Sequence, residues 1–136
     1  MPKKKSRSMS SNARTKQYLL SLGWHCDIVE RFNPHAGKFG VRVDMFGFID
    51  IVAVNPHENR IVWVQACGTD FQPHRRKMVD EATPEVRQVA IDFLRAGEQI
   101  LLIGWRKVLK KRGGKQRIWQ ERIEEITIDD YGVVVR

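Results

Sequence analysis

Two neighbouring segments decide the fold: Phe46–Val54, with the sequence FGFIDIVAV, and Arg60–Cys67, with the sequence RIVWVQAC. Both are rich in β-branched and aromatic residues, a composition typical of strands buried in a sheet. The residues between them, Asn55–Asn59, contain Asn, Pro and His, which favour a turn. The sequence therefore predicts a β-hairpin at the centre of the protein.

The register of this hairpin brings two polar side chains together. If the turn spans residues 56–59, Asp50 lies directly opposite Gln65, and alternation places Asp50, Gln65 and Cys67 on one face. A lone carboxylate in such an apolar strand would carry a heavy desolvation cost. A carboxylate and an amide oxygen that converge from adjacent strands bind a hard divalent cation, with the Ala66 carbonyl as a further ligand.

Capping residues and apolar spacing predict the other elements. We expect a helix at 10–22, a strand at 24–32, helical segments at 73–81 and 83–97, and strands at 99–104 and 117–128. Residues 1–10 are interpreted as a disordered basic arm and residues 11–136 as one domain. The order α-β-β-β-α-β predicts an α/β fold with a central mixed sheet flanked by helices.

Positive charge is concentrated in two blocks of this 136-residue chain, which has 24 Lys and Arg, 16 Asp and Glu, and a net charge of +8. Neither block contains a carboxylate. The first comprises Lys3, Lys4, Lys5, Arg7, Arg14 and Lys16, and the second comprises Arg106, Lys107, Lys110, Lys111, Arg112, Lys115 and Arg117. Together they indicate a polyanionic partner such as nucleic acid. The alternative is a solubilising tail and a solvated hairpin loop.

Several classes of protein are excluded by the same composition. No apolar run approaches the roughly 18 residues of a membrane span, and no apolar segment follows the basic N-terminus as in a secretory signal. With only two cysteines, we expect a reducing compartment, the cytoplasm. The histidines and cysteines His25, Cys26, Cys67 and His74 lack finger-like CxxC spacing, so the sequence does not predict a zinc site.

A family resemblance rests on several motifs in order, between Trp24 and Trp119. They are RVDMFGFIDIVAV (42–54), VWVQACG (62–68), HRRKM (74–78), LRAG (94–97) and IGWRK (103–107). In this order they resemble the PD-(D/E)XK nuclease superfamily, and more closely a group of small phage-encoded nuclease-like proteins related to archaeal Holliday-junction resolvases. The resemblance implies a restriction-endonuclease-like core and an endonuclease dependent on Mg²⁺ or Mn²⁺. It also implies branched or junction DNA as substrate, a homodimer, and the host-cell cytoplasm if the protein is phage-encoded.

The resemblance also assigns roles to residues. Asp50 matches the metal-binding Asp of the superfamily, and Gln65 stands where Glu or Asp is usual. Cys67 occupies the position of the catalytic Lys, and a thiol cannot do the work of an ammonium group. Members of the superfamily sometimes supply this Lys from the following helix, so Lys77 is the best substitute and Lys38 a weaker one.

One further acid is expected at the metal. Glu30, late in the first strand, and Asp44 are the two candidates. Six residues of extended strand would separate Asp44 from Asp50 by about 20 Å, so both could meet one metal only if the chain bends sharply at Gly47. Alternatively, Asp44 pairs with Arg42 or with a cation at the rim.

The expected DNA contacts are Arg42 and basic side chains of the HRRKM segment and of the second basic block. They are Arg42, Arg75, Arg76, Arg106, Lys107, Lys110, Lys111, Arg112 and Lys115. Trp105 and Trp119 flank the second block, and either stack on bases or pack the last strands.

Two other functions stay open at this point. A nuclease fold that binds nucleic acid without cleaving it is the main alternative, because Gln65 and Cys67 both depart from the motif. The other is a small interaction module whose basic tail contacts an acidic partner.

Overall fold

The computed structural model of the chain describes residues 9–133, so the basic arm expected at residues 1–10 lies almost wholly outside the described residues. The elements are α1 (Ser11–Ser21), β1 (His25–Ile28), β2 (Arg31–Asn33), β3 (Val41–Val43), β4 (Ile51–Asn55), β5 (Arg60–Ala66), α2 (Phe71–Met78), α3 (Pro84–Arg95), β6 (Gln99–Leu109) and β7 (Arg117–Ile126). A short 3₁₀ helix, Ile128–Tyr131, follows β7. No helix in the described part of the chain is long and apolar enough to cross a membrane.

The main sheet has five strands in the order β1-β4-β5-β6-β7. Strand β4 is antiparallel to β1 and to β5, β5 is parallel to β6, and β6 is antiparallel to β7. Strands β2 and β3 form a separate antiparallel pair. The predicted α/β class with a mixed sheet flanked by helices is therefore confirmed.

Apolar side chains fill both faces of this sheet. Val62 and Val64 pack with Leu19 of α1 on one face. Trp63 and Cys67 belong to the cluster on the opposite face, which includes residues of α2 and α3. The alternation predicted for β5 is therefore confirmed, and Cys67 points away from α1, towards α2 and α3.

The caps expected at the starts of α1 and α3 are confirmed, whereas α2 spans Phe71–Met78 and not the expected 73–81. The Ser10 side chain accepts a hydrogen bond from the Ala13 N–H (3.1 Å), and the Thr83 side chain accepts one from the Val86 N–H (3.3 Å). Pro84 is the first residue of α3, where its missing N–H costs nothing. These caps satisfy N–H groups that have no partner inside the helix.

Several predicted strand boundaries are wrong, including the end of the strand expected at 117–128, which lies at Ile126 in β7. The single strand expected at 24–32 is divided into β1 and β2, and the strand expected at 46–54 begins only at Ile51, because the chain turns before it. The strand expected at 99–104 continues to Leu109 as β6.

Strands β6 and β7 extend beyond the sheet as a two-stranded ribbon. Pairing of β5 with β6 ends at Ala66 and Ile103, whereas pairing of β6 with β7 continues from Gly104–Arg122 to Leu109–Arg117. Those six pairs span about 20 Å at the usual rise per residue. We call residues 104–122 the arm. The basic block expected to be a loop therefore lies partly on paired strands.

Trp105 anchors the base of the arm to α1. Its indole N–H donates to the hydroxyl of Thr15 (2.9 Å), and both side chains are buried. The Thr15 hydroxyl in turn donates to the Ser11 carbonyl. Trp105 is therefore a core residue, as the packing interpretation of the sequence predicts.

We expect Trp105→Phe to lower the free energy of unfolding by about 1–3 kcal/mol, because it removes a buried hydrogen bond and leaves a void. Urea denaturation of both proteins measures the change. The control is Trp119→Phe on the exposed arm, which we expect to shift stability by no more than about 0.5 kcal/mol. Equal effects of the two substitutions would contradict the anchoring role.

Candidate metal centre and nucleic-acid interface

Three carboxylates meet at one end of the sheet. Glu30 lies between β1 and β2, Asp44 directly follows β3, and Asp50 directly precedes β4. One oxygen of each lies within 4.8 Å of the others. The sequence offered Glu30 and Asp44 as alternatives, whereas the structure brings both to Asp50. We call these three residues the acid cluster.

A tight turn makes this meeting possible. Phe46 and Gly47 have φ angles of 55° and 83°, and the Met45 N–H donates to the Ile49 carbonyl (2.9 Å). The chain therefore reverses between Asp44 and Asp50, which is the sharp bend at Gly47 that a shared metal requires. A Cβ at Gly47 would lie 2.8 Å from a methyl group of Val86, so the turn needs glycine.

Asp50 is only 4% exposed and its carboxylate accepts a hydrogen bond from the Ala66 N–H (2.8 Å). Burial, a hydrogen bond with Asp44 and the charges of Asp44 and Glu30 raise the pKa of Asp50 to about 8, although the Ala66 donor opposes this. Burial also raises the pKa of Asp44. The carboxylates of the acid cluster therefore repel one another and are poorly solvated when ionised. A bound cation would relieve that repulsion.

The register of β4 and β5 is the predicted one, with Asn55 opposite Arg60 and Ile51 opposite Val64. Asp50 directly precedes the paired residues and its N–H donates to the Val64 carbonyl (2.9 Å), so the predicted pair of Asp50 with Gln65 stays a prediction. The side-chain oxygen of Gln65 is buried and has no hydrogen-bond partner among residues 9–133. A buried acceptor without a partner costs about 1–3 kcal/mol, so this oxygen is suited to a ligand. Carboxylate and amide oxygens together are the donors that Mg²⁺ takes.

Ala66 contributes to this site through its backbone. The N–H is shown to hold Asp50. Because the N–H and C=O of an extended residue point to the same side of the strand, the Ala66 carbonyl also faces β4. Its role as a metal ligand stays a prediction.

A cleft of about 260 Å³ opens beside Gln65. His74 and Lys77 of α2 line it, together with Gly47 and Glu81. The structure therefore places Lys77, which the resemblance offers in place of a Lys at position 67, on the same cleft as Gln65. Lys38, the weaker candidate, lies between β2 and β3 and does not line this cleft.

Cys67 is 2% exposed and packs in the core with Phe71. Burial, followed by the negative charges of Asp70 and Asp50, raises the pKa of the Cys67 thiol to about 12. The thiol is therefore neutral near pH 7 and supplies no positive charge. If the site needs the cation that the resemblance places at position 67, another residue must supply it.

His74 is a site residue that the sequence reasoning missed. Its Nδ1 lies 3.0 Å from a carboxylate oxygen of Asp70, one turn earlier on α2. Its charge also lowers the pKa of Asp44, which places it beside the acid cluster. The i,i+4 spacing of Asp70 and His74 at the start of a helix could have indicated this pair.

Arg75 is not free to clamp phosphate, contrary to expectation. Its guanidinium donates to Glu124 of β7 and, at 2.8 Å, to Asp130 of the 3₁₀ helix. It therefore fastens α2 to the end of the chain, and we no longer include it among the DNA contacts. The neighbouring Arg76 is exposed.

Arg75→Gln is expected to lower the free energy of unfolding by about 1–3 kcal/mol, because two partly buried carboxylates lose their charged partner. Arg76→Gln is the matched control, and we expect it to change stability by less than about 0.5 kcal/mol. Urea denaturation near pH 7 distinguishes the two. A stability of Arg75→Gln equal to wild type would show that these ion pairs contribute nothing.

Arg42 pairs with Glu30 (3.3 Å) and not with Asp44, so the predicted alternative of an Asp44–Arg42 pair is wrong. The Asn12 side chain also donates to Glu30 (3.2 Å). Glu30 is therefore held towards the acid cluster from α1 and from β3. The Arg42 side chain is 74% exposed and can still reach a phosphate.

The arm carries most of the second basic block on exposed residues. Trp119 is 37% exposed and lies between two cations: the guanidinium of Arg14 is 3.9 Å and the Lys107 ammonium 5.2 Å from the indole centroid. Arg106 donates to Gln120 (3.2 Å). The residues of the tip, 110–116, are all exposed and include Lys110, Lys111, Arg112 and Lys115.

The arm and the acid cluster lie at the same end of the sheet. Asp50 precedes β4, which runs antiparallel to β5, so the start of β4 adjoins the end of β5. Strands β5 and β6 are parallel, and the arm continues from the end of β6. One polyanion can therefore contact the arm and the acid cluster together.

The raised pKa of Asp50 predicts how stability depends on pH. The pKa of Asp50 is about 8 in the folded protein and 3.8 ordinarily. The stability that the folded protein gains from a protonated Asp50 is therefore fully present below about pH 4 and is lost as pH rises through 8. We expect Asp50→Asn to gain stability relative to wild type between pH 5 and pH 8. Urea denaturation in EDTA measures this, and a constant difference across that range would contradict the shift.

The comparisons with known proteins show no relationship. We find no protein-family model, no curated protein and no solved structure that matches this chain.

Proposed function

We propose that the protein is a metal-dependent endonuclease that hydrolyses DNA phosphodiester bonds. The observation that carries this proposal is the acid cluster at the start of β4, next to the end of β5, where the side-chain oxygen of Gln65 is buried without a hydrogen-bond partner among residues 9–133. The arm, residues 104–122, lies at the same end of the sheet and provides the second requirement, a positively charged site for the DNA backbone.

Glu30, Asp44, Asp50 and Gln65 would hold Mg²⁺ or Mn²⁺. When bound, the metal supplies Lewis-acid polarisation of the phosphate and lowers the pKa of a coordinated water. The chain orients these ligands in advance: the Ala66 N–H holds Asp50, and Asn12 holds Glu30. Such outer contacts fix ligand geometry in metal sites.

Lys77 would stabilise the negative charge that develops on the phosphate. Its side chain lines the cleft beside Gln65, and Cys67 offers no charge there. Preorganised cations at the point where charge develops are an effective source of catalysis. In this proposal, Lys77 replaces the Lys that the resemblance places at position 67.

Branched or junction DNA is the proposed substrate, and a homodimer the proposed assembly. Both come from the resemblance of the RVDMFGFIDIVAV and VWVQACG segments to resolvase-like proteins. Cleavage of both strands at a symmetric junction requires two sites, which a two-fold dimer provides.

The second candidate function is DNA binding without cleavage. It is favoured by the neutral Gln65 and Cys67 at two motif positions. Incubation of the full chain with four-way junction DNA and with linear duplex DNA, in Mg²⁺ and in EDTA, distinguishes the two functions. Cleavage in Mg²⁺ alone supports the endonuclease, whereas salt-dependent binding with intact DNA in both solutions supports the second candidate.

A further inference from the structure

A second group of metal-ligating atoms lies at the junction of β5 and α2. The Cys67 sulfur, a carboxylate oxygen of Asp70 and a ring nitrogen of His74 all lie within 4.8 Å of one another. We propose that these three side chains form a binding site for Zn²⁺, separate from the acid cluster. This inference does not depend on whether the protein cleaves DNA.

The local chain geometry assembles this set. Cys67 directly follows β5, Asp70 occupies the N-cap position of α2, and His74 lies one turn into that helix. The Asp70 side chain makes no capping hydrogen bond with the described N–H groups of α2, although Asp is a favoured N-cap residue. Its carboxylate instead lies 3.0 Å from His74 Nδ1, so two of the three ligands are already adjacent.

The donor atoms distinguish this site from the acid cluster. Sulfur, imidazole nitrogen and one carboxylate oxygen are the ligands that Zn²⁺ takes in tetrahedral sites, whereas an all-oxygen set suits Mg²⁺. Zinc would displace the thiol proton to solvent on binding, and the sulfur would bind as thiolate. The two clusters therefore select different metals by their chemistry.

The three ligands differ in exposure in a way that fits such a site, with one in the core and two nearer the surface. Cys67 is 2% exposed and is fixed between Phe71 and Gly104, where a Cβ on Gly104 would lie 3.1 Å from the sulfur. The Asp70 and His74 side chains are 56% and 32% exposed, respectively. A metal would therefore be anchored from the core and would keep a fourth position open to water.

The other cysteine does not take part. Cys26 lies on β1, where its thiol donates to the Lys16 carbonyl (3.6 Å) on the α1 side of the sheet. Of the four His and Cys residues considered from the sequence, only Cys67 and His74 come together, and Asp70 completes the set. Cys26 consequently provides a matched control for Cys67.

The test is titration of the full-length, metal-free protein with Co²⁺ in the absence of DNA, followed by absorption spectroscopy. We expect a thiolate-to-cobalt charge-transfer band together with the visible bands of tetrahedral Co²⁺, all removed by Zn²⁺ and retained in excess Mg²⁺. Cys67→Ser should remove the charge-transfer band. Asp70→Asn and His74→Gln should each weaken Co²⁺ binding by at least about tenfold.

Two variants should keep the thiolate-to-cobalt charge-transfer band of wild type: Cys26→Ser, which alters the other thiol, and Asp50→Asn, which alters the acid cluster. Asp70→Asn and His74→Gln test the site outside the buried core even if Cys67→Ser fails to fold, as circular dichroism would show. The proposal is overturned if wild type shows no thiolate-to-cobalt charge-transfer band or if Cys26→Ser removes that band. It is also overturned if His74→Gln binds Co²⁺ as tightly as wild type does. Loss of the band in Asp50→Asn would show a single shared site and would equally overturn it.

Discussion

Asp50→Asn should reduce Mg²⁺-dependent cleavage of junction DNA by at least ~10³-fold, the largest effect expected from any single substitution. Asp50 is the buried member of the acid cluster, with a carboxylate oxygen within 4.8 Å of oxygens of Glu30 and Asp44. A bound metal contributes several kcal/mol of transition-state stabilisation, and about 4 kcal/mol corresponds to 10³ in rate. Single-turnover cleavage with enzyme in excess measures the chemical step.

DNA affinity separates loss of chemistry from loss of folding or binding. In EDTA near pH 7, we expect Asp50→Asn to bind the junction as tightly as wild type, because Asp50, with a pKa of about 8, is mostly protonated there and Asn leaves the local charge nearly unchanged. Asp129→Asn, at an exposed position of the 3₁₀ helix, is the matched control and should cleave as wild type does. Retention of more than a tenth of wild-type cleavage by Asp50→Asn would refute the assigned role.

The register of β4 and β5, which brings Asp50 and Gln65 to neighbouring strand ends, was predictable because a short turn fixes the register of a hairpin. Once the turn is placed at 56–59, each residue of β4 has a defined partner on β5, and the structure has this register. The composition of the two segments was sufficient for this step. Hence the sequence could identify half of the candidate site.

The turn at Phe46–Gly47 could not be predicted in the same way. The segment FGFID has the apolar composition of a strand, and a positive φ at Phe46 is a conformation that sequence preferences disfavour. Gly47 lies close to Val86, 39 residues later in the chain, a neighbour that the segment itself does not reveal. For this reason Glu30 and Asp44 stayed alternatives until the structure brought both to Asp50.

The HRRKM segment shows a second limit of sequence reasoning. Its four cationic or titratable side chains look equivalent in sequence, but the helix directs Arg75 towards Glu124 and Asp130 and directs His74 and Lys77 towards the cleft. The partners of Arg75 lie 49 and 55 residues away. The direction in which each side chain leaves the helix, and the partners it meets there, decide these roles. Those partners lie far away in the sequence.

The second large effect is expected at the arm, when Lys110, Lys111, Arg112 and Lys115 are all replaced by Gln. Each phosphate contact contributes about 0.9 to the slope of log affinity against log salt concentration, so we expect the slope to become shallower by about 3–4. Affinity for junction DNA at low salt should fall by at least about 10²-fold. Fluorescence anisotropy in EDTA across a salt series measures both quantities without cleavage.

A matched pair of double variants shows whether position or net charge is responsible. Lys111→Gln with Arg112→Gln removes two charges from the arm, and Arg60→Gln with Arg95→Gln removes two charges near the opposite end of the sheet, at the start of β5 and before β6. Because the arm and the acid cluster share one end, we expect the first pair to make the slope shallower by about 2 and the second to leave it nearly unchanged. Equal changes would mean that the whole positive field attracts DNA, and the arm would then have no special role in placing DNA at the acid cluster.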